Sequence, residues 1–91
     1  MLFVIHCIDK LNHLQVRLDN RQAHIEYLKR YGEKLVAAGP TISADDTMNG
    51  SIIILDLENH AAAEQFAADD PYHKAGLFAD VTISAWKKVL P

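Results

Sequence analysis

The two residues of this chain that are best suited to proton chemistry are His24 and Asp70. His24 precedes Leu28 and Leu35 at helical spacing, near the core-facing side of a predicted helix, where a polar ring needs a partner. Asp70 follows an alanine-rich stretch and stands before Pro71. A carboxylate bonded to one ring nitrogen would fix the tautomer and leave the other nitrogen free as a base.

A structural interpretation of the same two residues is also open at this point. Asp70 can cap a short helical turn that begins with Pro71, and His24 can be a core histidine satisfied by any neighbour. The residue types and their spacing therefore predict either an acid–base dyad or a cap beside a structural histidine.

Two arginines and a tyrosine are candidate ligand-binding residues. Arg17 and Arg21 are predicted to flank the start of the first helix, where backbone N–H groups and cationic side chains favour an anion. The alternative is a pair of solvated surface arginines. Tyr72 follows Asp70 by two positions and can project its hydroxyl into the same site or pack under a turn.

The first predicted helix lies between two strands. Apolar residues recur at three- and four-residue steps after Asp19, which with Gln22 resembles a capping box. Gly39 and Pro40 supply the stop, so the predicted helix has about five turns. Bulky and β-branched residues predict four strands, over residues 2–8, 41–45, 51–57 and 81–86.

A turn and a second helix complete the predicted order. Asn49 and Gly50 predict the turn between the second and third strands. Asn59 can cap a helix over residues 60–68, which must end near Asp69 because the residue before a proline is disfavoured in helical geometry. The order β-α-β-β-α-β predicts an α+β, ferredoxin-like fold, with a four-stranded antiparallel sheet and two helices on one face.

This topology has consequences for the site and for assembly. Right-handed crossovers make the two helices antiparallel, so the start of the first and the end of the second lie at one end of the sheet. His24 and Asp70 are therefore expected near each other. Strands 2–8 and 51–57 are apolar on both faces, so the face without helices needs a cover, and a homodimer through this sheet face is expected.

Composition limits the remaining possibilities. A length of 91 residues predicts one domain spanning 1–91. The net charge of −3, with no basic run longer than Lys87-Lys88, argues against nucleic acid as a partner. The first residues lack a basic region, and His6 interrupts their apolar run, so neither a signal peptide nor a membrane span is expected. We therefore expect a cytoplasmic location.

Motifs for metals and common cofactors are missing from the sequence. Cys7 is the only cysteine and lies in an apolar run, so it is expected to be a core residue. The five histidines show no HxH, HExxH or Cys-His spacing, so no metal site is expected. Without a glycine-rich phosphate loop or a dinucleotide fingerprint, any catalysis is expected to need no cofactor.

Several short motifs together resemble the YciI-like (YCII-related) family. They are "RLxxRxAH" over 17–24, "GP" over 39–40, Gly50, "DPYxxAG" over 70–76 and "KKV" near the end. Gln22 departs from the pattern, since close members carry proline before "AH", and the last aromatic residue is Trp86. The resemblance implies a dimeric α/β barrel and a His and Asp pair that matches His24 and Asp70.

The function expected from these observations is binding and conversion of a small organic molecule. His24 would act as general base or acid, with Asp70 as its orienting partner, in an elimination, isomerisation or hydrolysis. Acyl transfer fits less well, because no Ser or Cys nucleophile is evident beside the histidine. The alternative is a non-catalytic ligand-binding or accessory dimer in which the pair joins two helices.

Overall fold

The computed structural model describes residues 1–91. The four strands form one antiparallel sheet in the order β2-β3-β1-β4, which is the predicted ferredoxin-like α+β fold. The longest helix has 16 residues, and no helix is long and apolar enough to cross a membrane. The elements are β1 (Leu2–Asp9), α1 (Leu14–Lys29), β2 (Leu35–Ile42), β3 (Met48–Asp56), α2 (His60–Asp69), α3 (Pro71–Lys74) and β4 (Phe78–Trp86).

Both long helices cover the same face of the sheet. Alternate residues of the central strands point to this face, and the register pairs Ile5 with Ile53. Each fully buried aliphatic side chain of this kind contributes about 1.5–3 kcal/mol to the free energy of unfolding. The core consists of Phe3, Ile5, Cys7, Ile53, Leu55 and Leu57 with Tyr27 and Leu28 of α1 and Ala63 and Phe66 of α2.

Cys7 is a core residue, as predicted. Its side chain is buried in the apolar cluster and forms no disulfide. Burial raises the pKa of the Cys7 thiol to about 12, with a smaller contribution from the negative charges of Asp70 and Asp9. The thiol therefore stays protonated at neutral pH.

The prediction for the first helix was wrong at both ends. The helix begins at Leu14 and ends at Lys29. Asp19 lies inside it and accepts a hydrogen bond from Gln15 Nε2 at 2.8 Å, so it does not cap the start. The chain then reverses through Gly32, whose φ of 54° suits a glycine, and continues into β2.

The residues predicted to stop the helix lie in a strand. Gly39 and Pro40 belong to β2, which pairs with β3. The short apolar run from Leu35 fits a helical period as well as a strand, and pairing with β3 decides the outcome. Pro40 is tolerated because β2 is an edge strand, where one side of the backbone needs no partner.

The predicted turn at Asn49 and Gly50 is also in the wrong place, since both residues belong to β3. The β2–β3 connection is made by residues 43–47. The Ser43 amide donates to the carbonyl of Thr47 at 2.9 Å, and Asp46 takes a φ of 67°. Asp and Asn adopt this left-handed region more readily than most residues, which suits Asp46 to the turn.

Gly50→Ala is expected to lower the free energy of unfolding by about 1–3 kcal/mol. A Cβ at Gly50 would lie 2.3 Å from the carbonyl oxygen of Cys7 and 2.7 Å from Thr41 Oγ1. The Cys7 backbone is part of a central strand and cannot move aside. The control is Gly39→Ala, whose Cβ would meet nothing within 4 Å and should change stability by no more than about 0.5 kcal/mol. Urea unfolding measures both, and an equal loss would contradict the steric account.

The face of the sheet away from the helices remains apolar. We call this the outer sheet face, formed by Leu2, Val4, His6, Ile8, Ile52, Ile54, Thr82, Ser84 and Trp86. The same register places Asp56 opposite Leu2 and Asp80 opposite Ile8, so two carboxylates lie at the ends of this face. Ile8, Ile52 and Trp86 are 45%, 41% and 43% exposed. The predicted two-sided apolar character of the central strands is therefore present.

Candidate functional site

His24 and Asp70 are in direct contact. Nδ1 of His24 lies 2.9 Å from Oδ1 of Asp70, and both side chains are buried. A carboxylate only accepts hydrogen bonds, so Nδ1 is the donor and carries the ring proton. The same Oδ1 accepts a hydrogen bond from the Tyr72 amide at 2.9 Å and caps α3. Asp70 therefore contacts His24 and caps α3 at the same time.

The route by which the two residues meet differs from the prediction. His24 is the eleventh residue of the 16-residue α1, so it lies past the middle of the helix and not near its start. At Asp70 the backbone becomes extended, with φ −61° and ψ 126°, and α2 ends. The short α3 that follows packs against α1, and this contact brings Asp70 to His24.

The second ring nitrogen of His24 is available to a ligand. Nε2 makes no hydrogen bond within the protein, and no enclosed side-chain nitrogen or oxygen is left without a partner, so Nε2 reaches open space. His24 lines a cavity of about 210 Å³ between α1 and strands β2 and β3. Its walls combine apolar and polar groups, including Leu28, Pro40, Met48, Arg17, Arg21, Ser51 and Tyr72.

Tyr72 lies in the same site. Its ring stacks on that of His24, with centroids 3.9 Å apart and planes 15° apart, and the guanidinium carbon of Arg17 lies 4.7 Å from its ring centre. Burial raises the pKa of the Tyr72 phenol, although the charge of Arg17 opposes the shift. The hydroxyl therefore keeps its proton and can donate to a ligand.

Arg17 is a buried residue and not a surface arginine. Its Nε and Nη2 donate to the two carboxylate oxygens of Asp9 at 2.7 and 2.8 Å. Burial opposes the charge on Arg17, but the hydrogen bonds and charge of Asp9 outweigh it and raise the pKa of the guanidinium. Arg17 is thus a charged group whose charge is balanced within the protein.

Arg21 differs from Arg17 in exposure and pairing. It is exposed, lines the cavity and forms no ion pair. Both arginines lie within α1, on its fourth and eighth residues, so the prediction that they flank the helix start was wrong. The chain nevertheless places one uncompensated cation at the edge of the cavity.

Ser51 and Asp9 are site residues that the sequence interpretation missed. Ser51 is buried, lines the cavity, and accepts a hydrogen bond from Arg17 Nη2 at 2.9 Å. One signal was present: Ser51 alternates with Ile53 and Leu55, so it is a polar residue on the core-facing side of a strand. Asp9 ends β1 and gave no signal beyond its likeness to a turn residue.

The side chains at the site form neither a metal-ligand cluster nor a nucleophile and base pair. The structure contains no group of three His, Cys, Asp or Glu side chains that could hold a metal ion. Ser51 makes its hydrogen bond with Arg17 and none with His24, so the two do not form a nucleophile and base pair. The side chains at the cavity are instead suited to hydrogen bonding and proton transfer.

Comparison with known proteins identifies relatives of nearly full length. The model of the YCII-related domain family matches residues 1–87. The protein YciI of Escherichia coli is 35% identical, over 98% of this chain and 99% of its own. An uncharacterized protein of Haemophilus influenzae is 39% identical over 98% of this chain and 99% of its own.

Solved structures extend the comparison. The 5-chloro-2-hydroxyhydroquinone dehydrochlorinase of Burkholderia phenoliruptrix, in complex with 2,5-dihydroxybenzoquinone, is 40% identical with a TM-score of 0.90, covering 96% of this chain and 94% of that one. A cofactor-independent oxygenase from Streptomyces nogalater is 13% identical with a TM-score of 0.64, covering 99% of this chain and 96% of that one. The second likeness shows a shared fold.

Proposed function

Because the chain belongs to the YCII-related domain family, we propose that it is an enzyme that converts a small organic molecule by proton transfer at His24. One observation carries this proposal. Asp70 holds Nδ1 of His24 at 2.9 Å, while Nε2 is free beside a cavity of about 210 Å³. A positioned base with an open partner site is the arrangement that general acid–base catalysis requires.

The proposed mechanism uses His24 as base and then as acid. Nε2 takes a proton from a carbon or hydroxyl of the substrate, and Asp70 stabilises the imidazolium that forms. In an elimination a leaving group departs with the electron pair released, and in an isomerisation His24 returns the proton elsewhere. Hydrolysis through a covalent serine intermediate is disfavoured, since Ser51 does not contact His24.

The size of the cavity and the solved relative together support a ring compound as substrate. Pockets for drug-sized ligands have about 300–1,000 Å³. A cavity of about 210 Å³ suits a smaller molecule, such as one substituted ring. The dehydrochlorinase relative acts on a chlorinated hydroxyhydroquinone and was solved with a dihydroxybenzoquinone. We therefore propose hydroxylated or halogenated single-ring compounds as the substrate class.

A non-catalytic ligand-binding module is the second candidate function. Asp70 caps α3, and Tyr72 of α3 stacks on His24 of α1, so the same contacts join two helices. In such a module the cavity would bind a ligand without changing it. Binding and turnover must therefore be measured separately.

The test is a screen of single-ring phenols, quinones and their chlorinated forms against wild type, His24→Ala and the control His60→Ala. A ligand at a hundred times its Kd stabilises the native state by about 2.7 kcal/mol, which raises Tm. The expected result is a ligand that wild type and His60→Ala convert to a product, or whose hydrogen they exchange for deuterium, as seen by NMR. His24→Ala should leave the same ligand unchanged. His60 is exposed and pairs with Glu64. Tight binding without conversion or exchange would favour the non-catalytic module.

We also propose a homodimer through the outer sheet face, since nothing in the chain covers it. Light scattering is expected to give a mass about twice the 10.2 kDa of one chain. Ile52→Lys places a charge on this face and should give a monomer, because burying an unpaired charge is strongly unfavourable. The control is Leu18→Lys on α1, since Leu18 is 45% exposed and Ile52 41%. A wild-type monomer at micromolar concentration would contradict the proposal.

A further inference from the structure

The sheet wall of the cavity carries a buried hydroxyl whose proton has no partner. Ser51 is 2% exposed, and its Oγ accepts a hydrogen bond from Arg17 Nη2 at 2.9 Å. An arginine can only donate, so this bond uses a lone pair of the serine oxygen. The Ser51 hydroxyl makes no hydrogen bond as a donor within the protein, and it remains available to an acceptor in the cavity.

The guanidinium of Arg17 likewise has some N–H groups bonded within the protein and others that are not. Nε and Nη2 bind Asp9, and Nη2 also binds Ser51, while Nη1 has no partner at hydrogen-bond distance, and the Tyr72 hydroxyl is the neighbouring group that interacts with the guanidinium. Since no enclosed side-chain nitrogen lacks a partner, Nη1 reaches open space, and Arg17 lines the cavity. Ser51 and Arg17 thus offer two neighbouring donors, both on side chains that are held in place.

We propose that Ser51 and Arg17 together bind an oxyanion of the ligand, which makes the ligand a single-ring compound bearing a phenolate or enolate oxygen. This inference rests on the proposed function, because the oxyanion is the group that carries the negative charge when His24 removes a proton. Because Asp9 balances the charge of Arg17, Arg17 serves as a fixed donor, and the exposed, unpaired Arg21 is the cation at the cavity edge that attracts an anion.

Such a donor pair complements the chemistry at His24. When Nε2 takes a proton from a ring hydroxyl, or from an sp3 ring carbon next to a carbonyl, the electron pair of the broken bond ends on a phenolate or enolate oxygen. Donors already oriented toward that oxygen stabilise the charge without reorganising as it develops. Asp9 is then a positioning residue, since it fixes the plane of the Arg17 guanidinium through two hydrogen bonds.

The test compares two probes of one shape, 4-nitrophenolate and the neutral ether 4-nitroanisole, by calorimetric titration at a pH where the phenol is ionised. Ser51→Ala is expected to raise the Kd for the phenolate about 10- to 100-fold, the effect of losing a hydrogen bond to a charged group. Its Kd for the ether should change by less than about twofold, because the ether carries no charge for the hydroxyl to stabilise. Gln65→Ala, at an exposed residue of α2 outside the cavity lining and the outer sheet face, is the control and should change neither.

A second variant keeps the test decisive if Ser51→Ala is poorly folded. Ser51→Cys has a similar shape but only a weak donor, and a loss of phenolate binding of at least about tenfold is expected. Failure of wild type to bind the phenolate, or equal losses for both probes, would overturn the inference. A phenolate that binds through Ser51 in a protein showing no turnover with any compound would support the inference and refute the proposed reaction.

Discussion

Asp70→Asn is expected to lower turnover about 1,000- to 10,000-fold while changing the free energy of unfolding by no more than about 1 kcal/mol. Asparagine keeps a side-chain oxygen that can accept from the Tyr72 amide, so α3 stays capped. It has no charge to stabilise the imidazolium of His24. Its amide group can also donate to Nδ1, which would move the ring proton to Nε2 and remove the base from the cavity.

The matched control for this variant is Glu64→Gln. His60 and Glu64 form the same kind of contact, Nδ1 to carboxylate at 2.9 Å, but their side chains are 55% and 64% exposed. Exposed pairs contribute about 0–1 kcal/mol, so both stability and turnover should stay near wild type. Steady-state rates and urea unfolding measure the two effects. If Asp70→Asn turns over as fast as wild type, the carboxylate is a cap and the catalytic role must be abandoned.

The sequence predicted the fold well where the pattern of a segment has one physical interpretation. The run from Leu2 to Ile8 is too short and too rich in β-branched residues for a helix, and Asn59 before an alanine-rich stretch caps α2 as predicted. The prediction for the segment after Lys29 was wrong, because its apolar residues fit a helix as well as an edge strand. Pairing with β3 decides between them, and a single sequence does not contain that pairing.

The site was predicted in part for a related reason. His24 and Asp70 could be inferred because a polar ring on an apolar helix face needs a partner, and the motif resemblance supplied one. Arg17 was predicted as a candidate ligand-binding residue, but its burial could not be predicted, since an arginine on a helix is usually solvated. Its burial depends on Asp9 and Ser51, which come from two other elements and become adjacent only in the folded sheet. The spacing of residues along the chain does not predict contacts of this kind.

Asp9→Ala is expected to lower the free energy of unfolding by about 3–5 kcal/mol, more than Gly50→Ala or Asp70→Asn. The side chains of Arg17 and Asp9 are only 3% and 6% exposed, so removing the carboxylate leaves a buried guanidinium without a counter charge. The control is Asp56→Ala, which breaks the exposed pair with the Met1 amine and should cost no more than about 1 kcal/mol. Urea unfolding compares the two, and similar losses would contradict the account of Arg17 as a buried charge.

The double variant Asp9→Ala with Arg17→Met separates stability from ligand binding. Methionine fills much of the space of the arginine stem and brings no charge, so the double variant should be more stable than Asp9→Ala alone. It removes the donor that holds Ser51 and the cation over Tyr72, so the preference for a phenolate over the matching ether should not return. Recovery of both properties together would mean that Arg17 only fills space. Recovery of stability alone would mean that the buried ion pair of Arg17 and Asp9 serves ligand binding, because it keeps a charged donor fixed at the cavity.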